Sequence, residues 1–298
     1  MSTTTLMARP GGDPALPADD PVPPDPIGPP DAAGAGSFRR YARETSLLVG
    51  RGFRMMPRVP ERLLDVTLQP IMFTLLFLYV FGSAIDVPGM RYQDYLLPGL
   101  LGQGLAFGVM GAGAATATDF STGVIDRFRS LPVSRLAVIS AQVIGQMLEQ
   151  ILGMAIVLGL GLALGWRPDL DVAGAFELAG LILLALFAFT WVGVLLGMTL
   201  RNPDAVQGLG FSVMLPLTFL AGTFVPIEGM AAVPRAIAQW DPISALVAAV
   251  RQVCQGTDSS GSWQLEHPVP AMIGWCVLLI VVCVPLALRR FDRTPAAS

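Results

Sequence analysis

The sequence predicts an all-α, polytopic membrane protein with six transmembrane helices, and three observations predict it. Of 298 residues, 53% are hydrophobic and only 14% are charged, where a soluble domain carries about 25% charged residues. Mean hydropathy is +0.61, and the apolar residues come in blocks of roughly 20 or more, the length a helix needs to cross ~30 Å of hydrocarbon. Charge is also segregated: all 19 basic residues are arginine, and fifteen of them fall in the two terminal regions and alternate connections between the blocks.

The elements follow in order. Residues 1–36 hold nine prolines, five aspartates and few large apolar side chains. Such a segment cannot bury enough surface to offset its chain entropy, so a disordered Pro/Ala-rich tail is expected. It lacks the basic start and apolar run of a signal peptide. With Arg9 as its single cation it does not read as a nucleic-acid tail. In residues 37–64, Arg39, Arg40, Arg43, Arg51, Arg54, Arg58 and Arg62 alternate with Phe38, Leu47, Leu48, Val49, Phe53, Met55 and Met56. This pattern reads as an amphipathic helix in the membrane interface, interrupted near Pro57 and Pro60; a soluble basic linker is the alternative. The membrane domain spans 65–290, with spans expected at about 65–85, 96–118, 137–164, 173–199, 206–225 and 269–288, and a short tail at 291–298. Between the fifth and sixth spans, 233–242 and 243–253 read as short helices behind a break at Pro226. They suggest a partly re-entrant outer cap, tolerated at membrane depth where backbone is buried in protein or faces water. An ordinary surface loop is the alternative.

An even number of spans puts both termini on one side. The arginine-rich side comprises the N-terminal region, the 119–136 loop, the 200–205 loop and the C-terminal tail. The positive-inside rule makes it cytoplasmic. The expected location is therefore the cell membrane, multi-pass, with both termini cytoplasmic; a bacterial cell is also expected.

Several chemistries are excluded. The chain has no lysine, and a P-loop needs one to reach the β- and γ-phosphates. It cannot be a conventional ATPase by itself; if ATP drives it, a separate subunit holds the nucleotide. Cys254, Cys276 and Cys283 form no CxxC, so neither a zinc site nor a disulfide framework is read. They read as small apolar residues, Cys254 in a loop and the other two on one face of the last span. The lone His267 cannot build a metal site or a triad, and no HExxH, GxSxG or GKS/T string occurs.

Two constellations are candidate functional sites. The 119–136 loop carries Asp126, Arg127, Phe128, Arg129, Leu131, Pro132 and Arg135. A short helix there, stopped by Pro132, would suit a protrusion that receives a push from a partner; Arg127 and Arg129, two apart, would point in different directions. The plainer reading makes the arginines topology determinants drawn to anionic lipid. In the third span, Gln142, Gln146, Glu149 and Gln150 follow i, i+4, i+7, i+8 spacing and share one helical face. Glu149 is an ionisable group deep in a span, which by default suggests function. It could line a substrate path and attract an amphipathic cation, or it could hydrogen-bond between helices to a partner such as Gln103 or Thr190. Gly104 and Gly108, Gly161 and Gly165, and Gly193 and Gly197 stand at GxxxG spacing and read as helix-packing sites.

Four strings in order give a resemblance over roughly residues 40–290: Glu61 to Pro70 entering the first span, Tyr95-Leu96-Leu97-Pro98-Gly99 opening the second, Asp126 to Arg135, and Arg201-Asn202-Pro203-Asp204-Ala205 before the fifth. They resemble the permease subunits of ABC-2 type exporters, the daunorubicin- and doxorubicin-resistance kind in particular. The resemblance implies that the interface helix, with Arg51, Arg54, Arg58 and Arg62, contacts an ATPase and that the 119–136 loop couples to it. It implies two copies of a P-loop ATPase subunit carrying ATP and magnesium, a second permease copy (identical or a close paralogue), and short outer helices before the last span. It implies export of an anthracycline-like drug or another lipophilic metabolite, for which the polar stripe of Gln142, Gln146 and Glu149 is the candidate path read from the residues. No cofactor of its own and no nucleic-acid partner are expected. A proton-coupled secondary transporter using Glu149, or a membrane scaffold that translocates nothing, are the competing readings.

Overall fold

The computed structural model describes residues 60–82, 85, 87, 89–123, 135–256 and 262–293. Among them the regular elements are all helical. Helix α1 (Pro60–Leu76) continues as a π-helical turn, Phe77–Phe81. It begins five residues before the expected first span, so Arg62 rides on the helix that enters the span. Proline at a helix start gives up an amide that has no intrahelical acceptor in any case. Pro70 lies inside the helix, and its carbonyl accepts a 2.8 Å hydrogen bond from Thr74 Oγ1.

Helix α2 (Tyr92–Ser121) is the axis of the fold, with Leu96, Leu101, Leu105, Ala106, Ala112 and Ala117 buried. Its first turn is tied by Arg91, whose Nε donates to Asp94 Oδ2 at 2.8 Å and whose Nη2 donates to Oδ1 at 3.0 Å. Helices α3 (Arg135–Ala163) and α4 (Val172–Leu200) pack on it. The α2–α4 crossing brings backbone against backbone. A Cβ on Gly193 would collide with the Val109 carbonyl oxygen, and one on Gly197 with that of Gly113. Small residues allow such backbone contact where lipid supplies no hydrophobic drive. Asp171 caps α4 by accepting from Gly174 N at 2.6 Å, and Arg201 ends the helix in the left-handed region (φ 51°).

Helix α5 (Pro203–Leu220) is capped by Asn202, which accepts from Asp204 N and Ala205 N at 2.9 and 3.3 Å. It ends five residues short of the expected span. The chain turns at Gly222 (φ +65°), and Phe224 folds back to stack on Phe77 with centroids 4.0 Å apart and to touch Phe219 at 4.9 Å. A 3₁₀ turn (Ile227–Gly229), α6 (Ala232–Ala238), α7 (Pro242–Gln255) and α8 (Trp263–Glu266) then lead to α9 (Pro268–Arg293). The break between α6 and α7 falls at Asp241, which caps α7 by accepting from Ile243 N at 3.2 Å. Helix α7 is buried along Ile243–Arg251 and packs on α2, α4, α5 and α9. Cys254 lies in its last turn, buried, rather than in a loop.

Four described helices, α2, α3, α4 and α9, are long and apolar enough to cross a membrane; α1 and α5 do not reach that length and apolarity.

Candidate functional site

The coupling residues expected from sequence, Asp126, Arg127, Phe128, Arg129, Leu131 and Pro132, lie outside the described residues, as do Arg51, Arg54 and Arg58. Arg135 opens α3 and Arg62 lies in the first turn of α1; only their backbone positions are described.

The polar stripe of α3 is described, and the structure divides it. Gln142 Nε2 donates to Thr116 Oγ1 of α2 at 3.2 Å, and Gln150 Nε2 donates to Thr190 Oγ1 of α4 at 3.2 Å. Two of the four polar groups therefore tie α3 to its neighbours, as interhelical hydrogen bonds do in membranes. Gln146, Glu149 and Gln150 border a cleft of about 220 Å³ among α1, α2 and α3, whereas Gln142 does not. Thr190, one partner the sequence suggested for Glu149, bonds Gln150 instead.

The cleft exists because α1 packs chiefly on α3 and scarcely on α2. Its walls are mostly apolar, with Phe73 from α1, Leu100 and Phe107 from α2, and Met154 and Val157 from α3; Gln69 and Gln103 add amides. Exposed Gln69, Gly104 and Gly111 mark its mouth. Gly104 therefore faces open space, while Gly108 lies under the Gln150 side chain, whose Oε1 a Cβ would strike. Gln103 is 4% exposed, and among the described residues neither its Nε2 nor Gln150 Oε1 has a hydrogen-bond partner.

A second polar hub lies in the connection between α5 and α9. Arg251 of α7, 8% exposed, sends Nε and Nη2 to the Tyr95 carbonyl at 3.2 and 2.9 Å and Nη2 to the Gly222 carbonyl at 2.7 Å. Its guanidinium carbon sits 3.6 Å from the centroid of the Tyr95 ring, and Tyr95 Oη donates to Gly222 O at 2.6 Å. This clamp joins the start of α2, the turn after α5, and α7. Nearby, Gln264 Nε2 donates to Asp241 O at 2.8 Å, and Trp275 Nε1 of α9 donates to Gln264 Oε1 at 2.9 Å. Burial pushes the Asp241 carboxyl up to about 6, against the opposing pull of its hydrogen bonds from Ile243 and Ser244. Sequence reasoning counted Arg251 only as an external positive charge. The available signal was a single charge inside the apolar run Ile243 to Val253. Among the described residues no cluster of metal-ligating side chains occurs.

Comparison with known proteins gives one family: the ABC-2 type transporter family matches residues 43–254. The chain is 30% identical over 246 residues to the daunorubicin resistance ABC transporter permease protein DrrB1 of Streptomyces coeruleorubidus, covering 83% of this chain and 85% of that one. It is 28% identical over 218 residues to the doxorubicin resistance ABC transporter permease protein DrrB of Mycobacterium tuberculosis, covering 72% and 74%.

Proposed function

The chain belongs to the ABC-2 type transporter family, and on that premise we propose that it is the permease half of an exporter powered by a separate ATPase subunit. The match across residues 43–254 carries the reading, and the absence of any lysine supports assigning the ATP and magnesium to the partner. Two ATPase copies dock on the interface helix of residues 37–64 and on the loop around Arg127 and Arg129. Their closure moves that loop and rocks two permease copies, identical or paralogous. The topology is six spans within residues 65–290 with both termini cytoplasmic, α1 and α5 completing the set. The outer connection is a cap seated at the membrane interface. Exposed Val233, Ile237, Trp240 and Trp263 support that seat, because tryptophan favours the boundary between hydrocarbon and water.

The cargo is a lipophilic drug or metabolite, of the anthracycline class given the names of the relatives. The cleft supports a path along α3: Glu149 and Gln146 bring polarity to an apolar recess at mid-helix, where an intramembrane carboxylate is costly and usually functional. The test is daunorubicin uptake into inside-out vesicles holding the chain and its ATPase, compared with Arg127→Ala and Arg129→Ala. Uptake that needs ATP and collapses in both variants is the expected result. Uptake that ignores ATP and follows a proton gradient would replace this reading with proton coupling through Glu149. ATPase that co-purifies while no compound moves would discard the anthracycline class alone.

A further inference from the structure

An apolar cluster separate from the main core stands where α2, α4 and α9 end and α3 begins. It is built from Ile139 and Val143 of α3, Val194 and Met198 of α4, and Ala287 and Phe291 of α9, and Phe120 of α2 packs against it. Among the described residues, α1 and α5 contribute nothing to it. Helix α2 runs on to Ser121, so Phe120 lies in its last turn, ahead of the stretch that carries Arg127 and Arg129. Ile139 lies in the second turn of α3, just beyond that stretch. Both flanks of the loop are therefore planted in one cluster.

Two contacts hold the Phe120 ring. The Arg201 guanidinium carbon lies over it, 5.8 Å from the centroid. The Phe291 ring meets it edge-on, with centroids 6.4 Å apart and planes at 73°. Both separations are ones at which the quadrupole of the ring attracts its neighbour. Arg201 makes its contact from an unusual backbone position. It ends α4 at φ 51°, and among the described residues no other non-glycine has a positive φ. Glycine is the ordinary residue at such a helix end, and any other side chain there strains the backbone. Strain kept at one position points to a use for the side chain, and the Arg201 side chain reaches Phe120.

We propose that Phe120 is the positioning residue through which movement of the 119–136 loop enters the bundle, with Arg201 and Phe291 holding its ring so that α4 and α9 follow. This rests on the reading above that the loop receives the push of the ATPase. Packed interiors yield little and transmit strain, so a ring held by two neighbours conveys a displacement that a loosely held side chain would absorb. Helix α9 supplies a reporter. Cys283, Ala287 and Phe291 stand at i, i+4, i+8 spacing on one face of α9, all buried in the cluster. The Cys283 thiol therefore reads the state of the cluster whatever compound is exported.

The test uses the chain assembled with its ATPase in lipid nanodiscs, in a Cys254→Ala, Cys276→Ala background. It compares the rate at which N-ethylmaleimide labels Cys283 with and without ATP and magnesium. The variants are Phe120→Leu, Phe120→Tyr, Arg201→Gly and a double variant, Arg127→Ala with Arg129→Ala. ATP is expected to change the parent rate about tenfold, one order of magnitude in local opening. Phe120→Leu and Arg201→Gly should bring that change within about twofold, because each removes a ring contact. Both should keep the ATPase bound and hydrolysing ATP as the parent does. Phe120→Tyr keeps the ring and should keep the response. Arg201→Gly suits the left-handed backbone and should melt no lower than the parent, so its loss of response would not follow from a weakened fold. If Phe120→Leu and Arg201→Gly respond as the parent does while the double arginine variant is silent, the relay is overturned and the coupling loop stands. A response that survives in every variant overturns both. A response lost in Phe120→Leu and Arg201→Gly but kept in the double arginine variant keeps Phe120 as the relay and removes the two arginines from docking. A parent whose Cys283 ignores ATP while ATP is hydrolysed overturns the relay. Loss of the ATPase or of thermal stability along with the response in Phe120→Leu and Arg201→Gly makes the contact structural and overturns it too.

Discussion

Replacing Arg251 by methionine should loosen the cap of short helices between α5 and α9, and the size of the effect can be worked from the clamp. The guanidinium makes three hydrogen bonds, to Tyr95 O twice and to Gly222 O once, and stacks on the Tyr95 ring. At about 1.5 kcal/mol per charge-assisted bond and about 1–2 kcal/mol for a desolvated cation–π contact, the gross interaction is roughly 6 kcal/mol. The guanidinium regains its hydration when the cap opens, which offsets several kcal/mol of that. The net loss is then roughly 3 kcal/mol, or about a hundredfold in the opening equilibrium. Cys254 gives the assay. It lies three residues on in the same helix, it is 0% exposed, and burial pushes its thiol up to about 12, so the closed cap is nearly inert to a maleimide. In a background of Cys276→Ala and Cys283→Ala, labelling of Cys254 under native conditions reports local opening. Arg251→Met should label about a hundredfold faster than its parent. Arg251→Lys, which keeps the charge but cannot fork between two carbonyls, should not restore protection. A rate for Arg251→Met within about threefold of the parent, under half of the expected effect on a logarithmic scale, would show that the clamp does not hold the cap closed.

Gly193→Val or Gly197→Val should cost at least ~3 kcal/mol, because backbone carbonyls occupy the space a Cβ needs. Gly104→Ala should be nearly neutral, and thermal unfolding in detergent separates the two cases. Between pH 4 and 6 the folded chain keeps a proton on Asp241 that the unfolded chain has released, since burial raises this carboxyl from 3.8 to about 6. Stability should therefore fall as pH rises through that window, by up to roughly 3 kcal/mol. Asp241→Asn, which retains a capping oxygen, should flatten a profile of melting temperature against pH. Asp171→Ala removes the cap of α4 and should cost about 1 kcal/mol in the same melts.

Much of the bundle could be read from the sequence, because hydropathy records where a helix can run. The ends of α3 and α4 fall within two residues of the expected spans. Helix α2 starts four residues early, at Tyr92, because the Arg91–Asp94 pair extends it through residues that hydropathy counts as polar. The end of α5 was hidden for the opposite reason. Phe219 to Val225 is nearly all apolar, yet the chain turns at Gly222 and uses Phe224 as packing against Phe77. Hydropathy registers the burial of that phenylalanine and not the change of direction that buries it.

The candidate site was legible to the same depth. Helical spacing placed Gln142, Gln146, Glu149 and Gln150 on one face, and it could not say which would bond across to another helix. That depended on Thr116 and Thr190, which stand 26 and 40 residues away from their partners. The glycines make the same point. Gly104 and Gly108 have the spacing of Gly193 and Gly197, yet the latter pair meets backbone while Gly108 meets a glutamine and Gly104 meets nothing. A small residue on a membrane helix marks either a close neighbour or a space left open, and the local sequence is the same for both. On α2 the two uses sit one turn apart, so the residue that fixes the Gln150 amide and the residue that leaves the cleft open belong to one motif.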